Sequence, residues 1–90
     1  MSLEEYREDI DRINHELAEL VAERMDVVES VGEYKKEHGM EIKDESREEV
    51  VKDQFADIFE ENNLPRVKGR KMAEFLIGMA IEEEKEVKEE

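Results

Sequence analysis

The longest helical pattern in the chain begins near Leu3 and runs to about His38. Apolar residues recur there in steps of three and four, a spacing that places them on one face of a helix. They are Leu3, Tyr6, Ile10, Ile13, Leu17, Leu20, Val21, Val27, Val28, Val31 and Tyr34. No proline interrupts the pattern, Gly32 is its only weak point, and Gly39 provides a stop. The sequence therefore predicts one very long first helix.

A second helix is predicted to start within the stretch "KDESREEV" and to end at "ENNLP". Asp44 or Ser46 fits the N-cap position, and Ser46 with Glu49 matches a capping box. Asparagine and proline are typical turn residues, so "ENNLP" is expected to break the helix. The predicted buried side consists of Val50, Val51, Phe55, Ile58 and Phe59.

A third helix is predicted from Pro65 or Val67 to near Val87. Its expected apolar surface consists of Met72, Ala73, Phe75, Leu76, Ile77, Met79, Ala80 and Ile81. The charged tail "EEEKEVKEE" is expected to fray. With no strand pattern, the chain is predicted to be all-α, as a single helical domain spanning residues 1–90.

The length of the first helix predicts the assembly. A helix of about 36 residues is about 54 Å long. A compact monomer of this size has a diameter of roughly 30 Å. Because the apolar stripe continues along the overhang, we expect a second copy of the chain to bury it in an intertwined homodimer. The alternative is a solitary, bent helical hairpin.

Charge and composition exclude several classes of function. The net charge is -14 and 47% of residues are charged, so nucleic acid and anionic membranes are not expected partners. The chain has no cysteine, which excludes disulfides and thiolate metal sites. It contains no apolar run long enough to span a membrane, and "MSLEEYREDIDRI" has no apolar signal core. The expected location is the cytoplasm.

Two cations lie on the face of the first helix that should be apolar. Arg24 and Lys35 are eleven residues apart, which returns them to the same side of the helix, about 16 Å apart along its axis. Two long cationic side chains there can contact one small anion. A structural ion pair between Arg24 and one of the many carboxylates of the chain, such as Glu48, is the alternative. Arg7 lies about 100° away around the helix, so it is expected to reach only a partner's pocket.

Other reactive patterns are weak or absent. The "DESRE" stretch places Arg47 and Glu48 in the first turn of the second helix, where the helix end favours anions. Neither His15 nor His38 belongs to a metal or catalytic motif, and no phosphate loop or glycine fingerprint is present. We therefore expect no metal and no cofactor.

The segment "YREDIDRINHELAELVAERMDVVESVGEYK" resembles the first helix of the all-helical chorismate mutases, and "IKDESREEV" resembles the start of their second helix. The family's pattern is an early arginine, then the segment "LxxLxAER", and then a lysine eleven residues after the arginine that ends this segment. The match has no gaps from Arg7 to Glu48 and continues into the third helix. This resemblance implies rearrangement of chorismate to prephenate in the synthesis of phenylalanine and tyrosine.

The resemblance also implies a role for each matching residue. Arg24, together with Arg7 of the other protomer, would bind the two substrate carboxylates. Lys35 would contact a carboxylate and the ether oxygen. The substrate's ring hydroxyl would be held by Glu48 and the Asp44 region, with Arg47 supporting the site from the side.

The third helix departs from the family pattern. Ala80 replaces a small hydroxyl residue, and Glu84 stands where glutamine is common. Glu84 would have to be protonated to donate to the ether oxygen, so activity is expected to fall as rising pH ionises it. The alternative is that Glu84 is a solvated tail residue.

The reaction implied by the resemblance needs no nucleophile, metal or proton relay. Catalysis would come from holding the substrate in its reactive conformation and from cations near the breaking ether bond. Two alternatives to this function are an isochorismate pyruvate-lyase on the same scaffold and a non-catalytic helical dimerisation module.

Overall fold

The computed structural model describes all 90 residues and contains three helices and no strand. Helix α1 spans Leu3–Glu37, α2 spans Glu45–Glu61 and α3 spans Arg66–Glu89. The all-α class and the very long first helix are therefore confirmed. Helix α1 begins at the N-cap Ser2, whose hydroxyl accepts the backbone N–H of Glu5 at 3.2 Å. It ends at Glu37 with His38 as its C-cap, and Gly39 follows with φ of +61°, a left-handed conformation that glycine adopts readily.

The start of α2 differs from one sequence prediction. Asp44 is the N-cap, and its carboxylate accepts the backbone N–H of Arg47 at 3.1 Å. Ser46 lies inside the helix and donates its hydroxyl to Asp44 at 2.9 Å, so the predicted Ser46–Glu49 capping box is wrong. A carboxylate one residue before the helix outcompetes the hydroxyl for the free N–H groups.

The predicted fraying of the C-terminal tail is also wrong. Helix α3 continues to Glu89, and both Glu84 and Val87 are buried, with 6% and 3% of their surfaces exposed. Near its end, the Lys36 ammonium donates to the carbonyl oxygens of Val87 and Glu90, at 3.4 and 2.8 Å. A cation from α1 thus satisfies carbonyls that the last turn of α3 leaves free.

Helix α3 packs against both other helices, while α1 and α2 do not pack on each other. Two glycines permit the close approaches. A Cβ atom on Gly32 would lie 3.2 Å from the Cβ of Val87, and one on Gly69 would lie 2.5 Å from the carbonyl oxygen of Phe55. The glycine that weakens α1 locally is therefore the place where α1 meets α3.

The small core is made of Val28, Val51, Ala56, Ala73, Leu76 and Val87. Val50 and Ile58, which were predicted to lie on the buried side of the second helix, are 47% and 52% exposed on the single chain. Phe75, part of the expected apolar surface of the third helix, is 71% exposed. The chain extends over 54 × 25 × 14 Å, and its radius of gyration is 16.1 Å. A compact chain of this length has a radius of gyration of about 12 Å. No helix combines the length and apolar composition needed to cross a bilayer.

Candidate active site

A cavity of about 180 Å³ lies between the C-terminal half of α1, the loop after it, the start of α2 and the second half of α3. Aliphatic side chains such as Val28, Val51 and Ile81 form much of its wall. Its polar lining contains the following predicted site residues: Arg24, Lys35, Asp44, Arg47, Glu48 and Glu84, with Ala80 beside them. Arg7 is exposed and does not line this cavity.

Arg24 projects from α1 into the cavity with unmet hydrogen-bonding capacity. Its Nη1 atom is buried and has no hydrogen-bond partner. The alternative of a structural ion pair is not found, since none of the ion pairs of the chain includes Arg24, and Glu48 pairs with Lys43. A buried donor without a partner costs about 1–3 kcal/mol, and more when the group is charged. The guanidinium is therefore suited to an anionic ligand that enters the cavity.

Lys35 is fixed from two sides on the same face of α1. Its ammonium donates to the carbonyl oxygen of Ile42 at 2.8 Å and lies 2.6 Å from Oε1 of Glu84. Glu84 belongs to the wall and is not the solvated tail residue of the alternative reading. Lys35 and Glu84 therefore form an ion pair, but its geometry does not make a hydrogen bond to Oε1 of Glu84. An ammonium has three N–H bonds, so at least one remains to donate to a ligand.

Asp44 faces the cavity while it caps α2. The backbone N–H of Arg47, followed by the hydroxyl of Ser46, lowers the pKa of its carboxyl below the ordinary value. Lys35 adds a smaller attraction of the same sign. Asp44 is thus held ionised by the helix start, with part of its accepting capacity already used.

Glu48 is held by a residue that sequence reasoning did not single out. The Lys43 ammonium lies 2.9 Å from Oε2 of Glu48, a hydrogen bond that raises the pKa of Lys43. The Glu48 side chain is 17% exposed and that of Lys43 is 59% exposed. Lys43 therefore holds from the rim a carboxylate that lines the cavity. The only signal in the sequence was the short separation of a lysine and a glutamate across the helix start.

Comparison of the chain with known proteins identifies its family. The family model of chorismate mutase type II matches residues 6–85. The chain belongs to this family. A chorismate mutase from Methanocaldococcus jannaschii is 33% identical over 75 residues, which cover 83% of this chain and 76% of that protein. No solved structure gives a significant match.

Chorismate mutase activity, the isomerase class and aromatic amino acid biosynthesis follow from membership in the chorismate mutase type II family. The comparisons favour neither the pyruvate-lyase alternative nor the non-catalytic module. They assign no role to a residue of this chain, so the roles of Arg24, Lys35, Glu48 and Glu84 stay predictions.

Proposed function

We propose that the cavity binds chorismate and rearranges it to prephenate, in an intertwined homodimer whose second chain contributes Arg7. The observation that carries the proposal is the buried, unpartnered guanidinium nitrogen of Arg24 in the same cavity as Lys35. Family membership indicates the substrate, which is a small dicarboxylate. Arg24 and Lys35 carry the opposite charge and can bind its carboxylates.

The rearrangement keeps every atom of the substrate. The ether C–O bond breaks while a C–C bond forms between the enolpyruvyl methylene and the ring, and negative charge develops on the ether oxygen. The protein's task is to hold the side chain over the ring and to stabilise that charge. In this proposal Arg24 and Arg7 of the partner subunit bind the carboxylates and so fix the reactive conformation.

Lys35 is the residue we assign to the ether oxygen. Its contacts with Ile42 and Glu84 fix the position of the ammonium, and its free N–H bond can strengthen as charge develops. The ring hydroxyl donates a hydrogen bond to Glu48, which Lys43 orients, and to the neighbouring Asp44. Arg47 supports the site from beside the substrate.

Glu84 and Ala80 complete the α3 wall of the cavity. Glu84 acts on the ether oxygen only in its protonated form, because a carboxylate would repel the developing charge. Ala80 contributes shape and leaves a side-chain hydrogen bond of the usual family pattern unmade.

The surface of α1 supports the homodimer. Every residue from 1 to 20 is exposed on the single chain, including Tyr6, Ile10 and Ile13 at 52%, 56% and 49%. An apolar groove continues from this stripe between Leu17, Val21 and the Phe75 region of α3. Continuous apolar surface of this kind marks a protein interface, and a second α1 has the matching stripe.

The test follows chorismate loss by absorbance for the wild type, Arg24→Ala and Arg12→Ala. Arg12 is an exposed arginine of the same helix outside the cavity, so its replacement controls for the loss of a positive charge. We expect Arg24→Ala to lose about a hundredfold or more in kcat/KM and Arg12→Ala to stay close to wild type. A wild type without activity on chorismate would refute the proposal.

The mass in solution tests the dimer separately. Light scattering should give twice the 10.7 kDa mass of the chain, and a monomer would remove the source of Arg7. The cytoplasmic location, the lack of nucleic acid, membrane, metal or cofactor partners, and the single-domain organisation of residues 1–90 stay predictions.

A further inference from the structure

A cluster of lysines adjoins the cavity on its outer side. A shallow depression there is lined by Glu41, Ile42, Lys43, Ile81, Lys85 and Lys88. Ile42 and Ile81 also line the cavity, so the two spaces share a wall. Lys85 and Lys88 lie four and seven residues after Ile81, which places all three on one face of α3. We call Lys43, Lys85 and Lys88 the lysine rim.

The charge of the lysine rim contrasts with its surroundings. The chain carries a net charge of -14, so its overall field repels anions. The cavity lining itself holds three cations, Arg24, Lys35 and Arg47, against three carboxylates, Asp44, Glu48 and Glu84. Formally neutral, that lining offers no net attraction to a dianion at a distance. The depression holds three lysines against one glutamate.

The three lysines differ in how far they are already neutralised. Lys43 is paired with Glu48, and this pair belongs to the site described above. Neither Lys85 nor Lys88 takes part in an ion pair. Both side chains are on exposed residues of α3. Their charges are therefore available to act on an anion that approaches this side of the cavity.

We propose that the lysine rim is an electrostatic collecting surface that draws small dicarboxylate ligands to the cavity against the repulsion of an acidic protein. The inference rests on the proposed function, which supplies the dianionic substrate. The attraction acts at a distance and is nearly the same for the bound substrate and the transition state. It therefore lowers KM and leaves kcat unchanged.

The test measures KM and kcat for chorismate in the variant Lys85→Gln/Lys88→Gln at an ionic strength of about 0.1 M, where the Debye length is about 10 Å. Two lysines about one Debye length from a dianion predict a rise of about threefold in KM, and Lys85→Glu/Lys88→Glu should raise KM by about tenfold. In about 0.5 M salt the differences from wild type should disappear. The matched control is Lys68→Gln/Lys71→Gln, which removes the same charge from exposed positions about 26 Å earlier along α3.

The outcomes separate this proposal from the proposed function. An active wild type with an unchanged KM in the Lys85/Lys88 variants would overturn the lysine rim alone. The same follows if kcat falls in place of KM, or if the control pair shifts KM equally. The affinity for a dicarboxylate transition-state analogue, measured by calorimetry, provides a second readout. If the wild type neither turns over chorismate nor binds the analogue, the proposed function fails and the lysine rim fails with it.

Discussion

The two halves of α1 carry the same apolar stripe but have different surroundings. In the C-terminal half, Val28 and Gly32 are buried, and Lys35 is paired with Glu84 of α3. In the N-terminal half no residue is buried, and Leu17 and Ile10 remain 44% and 56% exposed. One half therefore has its partner within the chain and the other does not. The difference agrees with the proposed function, in which the covered half of α1 lines the cavity and the open half packs against a second chain.

The largest expected effect comes from mixing two inactive variants, each altered in a different half of α1. Arg7→Ala and Arg24→Ala homodimers should both be nearly inactive, because every site lacks one carboxylate ligand. After unfolding and refolding together, half of the dimers are mixed and each has one intact site. We expect about a quarter of wild-type activity. No recovery, with dimers still formed, would mean that Arg7 does not act across the interface.

The pH dependence of kcat tests the pairing of the C-terminal half with α3. If Glu84 must be protonated, wild-type activity falls as rising pH ionises it, while Glu84→Gln keeps a neutral donor. The ratio of kcat in Glu84→Gln to kcat in the wild type should then rise with pH, by up to about tenfold per pH unit once Glu84 is mostly ionised. The control is Glu82→Gln, an exposed neighbour that should retain the wild-type profile. Parallel profiles for Glu84→Gln and wild type would eliminate the protonated-donor role.

The two halves of α1 also show how much the sequence can predict. Helical spacing placed Arg24 and Lys35 on one face, because that relation depends only on the geometry of one helix. The same spacing could not tell which apolar residues α3 would cover, so Val50 and Ile58 were expected to be buried. Burial depends on contacts between distant segments, which periodicity does not contain.

The site shows the same division between local and distant information. The positions of Asp44 and Glu48 follow from the start of α2, which has a local signature. Glu84 came from resemblance to a family, since composition alone predicted a fraying tail there. The Lys43–Glu48 pair depends on the path of the loop after α1, and the sequence offered no means to predict that path.

Close packing in the C-terminal half predicts a moderate effect on stability. Gly32→Val would force side-chain atoms against Val87 and the backbone of Glu84. A Cβ atom alone would lie 3.2 Å from the Cβ of Val87 and 3.4 Å from the Cα of Glu84. We expect a loss of about 1–3 kcal/mol in the free energy of unfolding, measured with urea. Valine is a better helix former than glycine, so propensity cannot produce this loss.

The control substitution lies ten residues earlier on the same helix. Ala22 is exposed, so Ala22→Val should change the free energy of unfolding by no more than about 0.5 kcal/mol. Equal losses at Gly32 and Ala22 would show that valine disturbs α1 generally. The contrast between packed and open surface would then not explain the result.

The smallest expected effect concerns the charges where α1 meets α3. Burial, followed by repulsion from Glu86, Glu29 and Glu90, raises the pKa of Glu83 above its ordinary value of 4.5. A carboxyl group with a raised pKa binds its proton more tightly in the folded chain than in the unfolded chain. Its contribution to stability is therefore present at low pH and is lost as the pH rises through the raised value.

Replacement of Glu83 by glutamine removes this dependence. Glu83→Gln should melt a few degrees above wild type at neutral pH, and the difference should vanish below the ordinary carboxyl value. Glu74→Gln removes the same charge from an exposed position of α3 and controls for the reduced net charge. An equal gain in both variants would assign the effect to the overall charge of -14. A gain confined to Glu83→Gln would assign it to the burial of Glu83 and to its acidic neighbours, at the end of α3 where α1 is covered by its own chain.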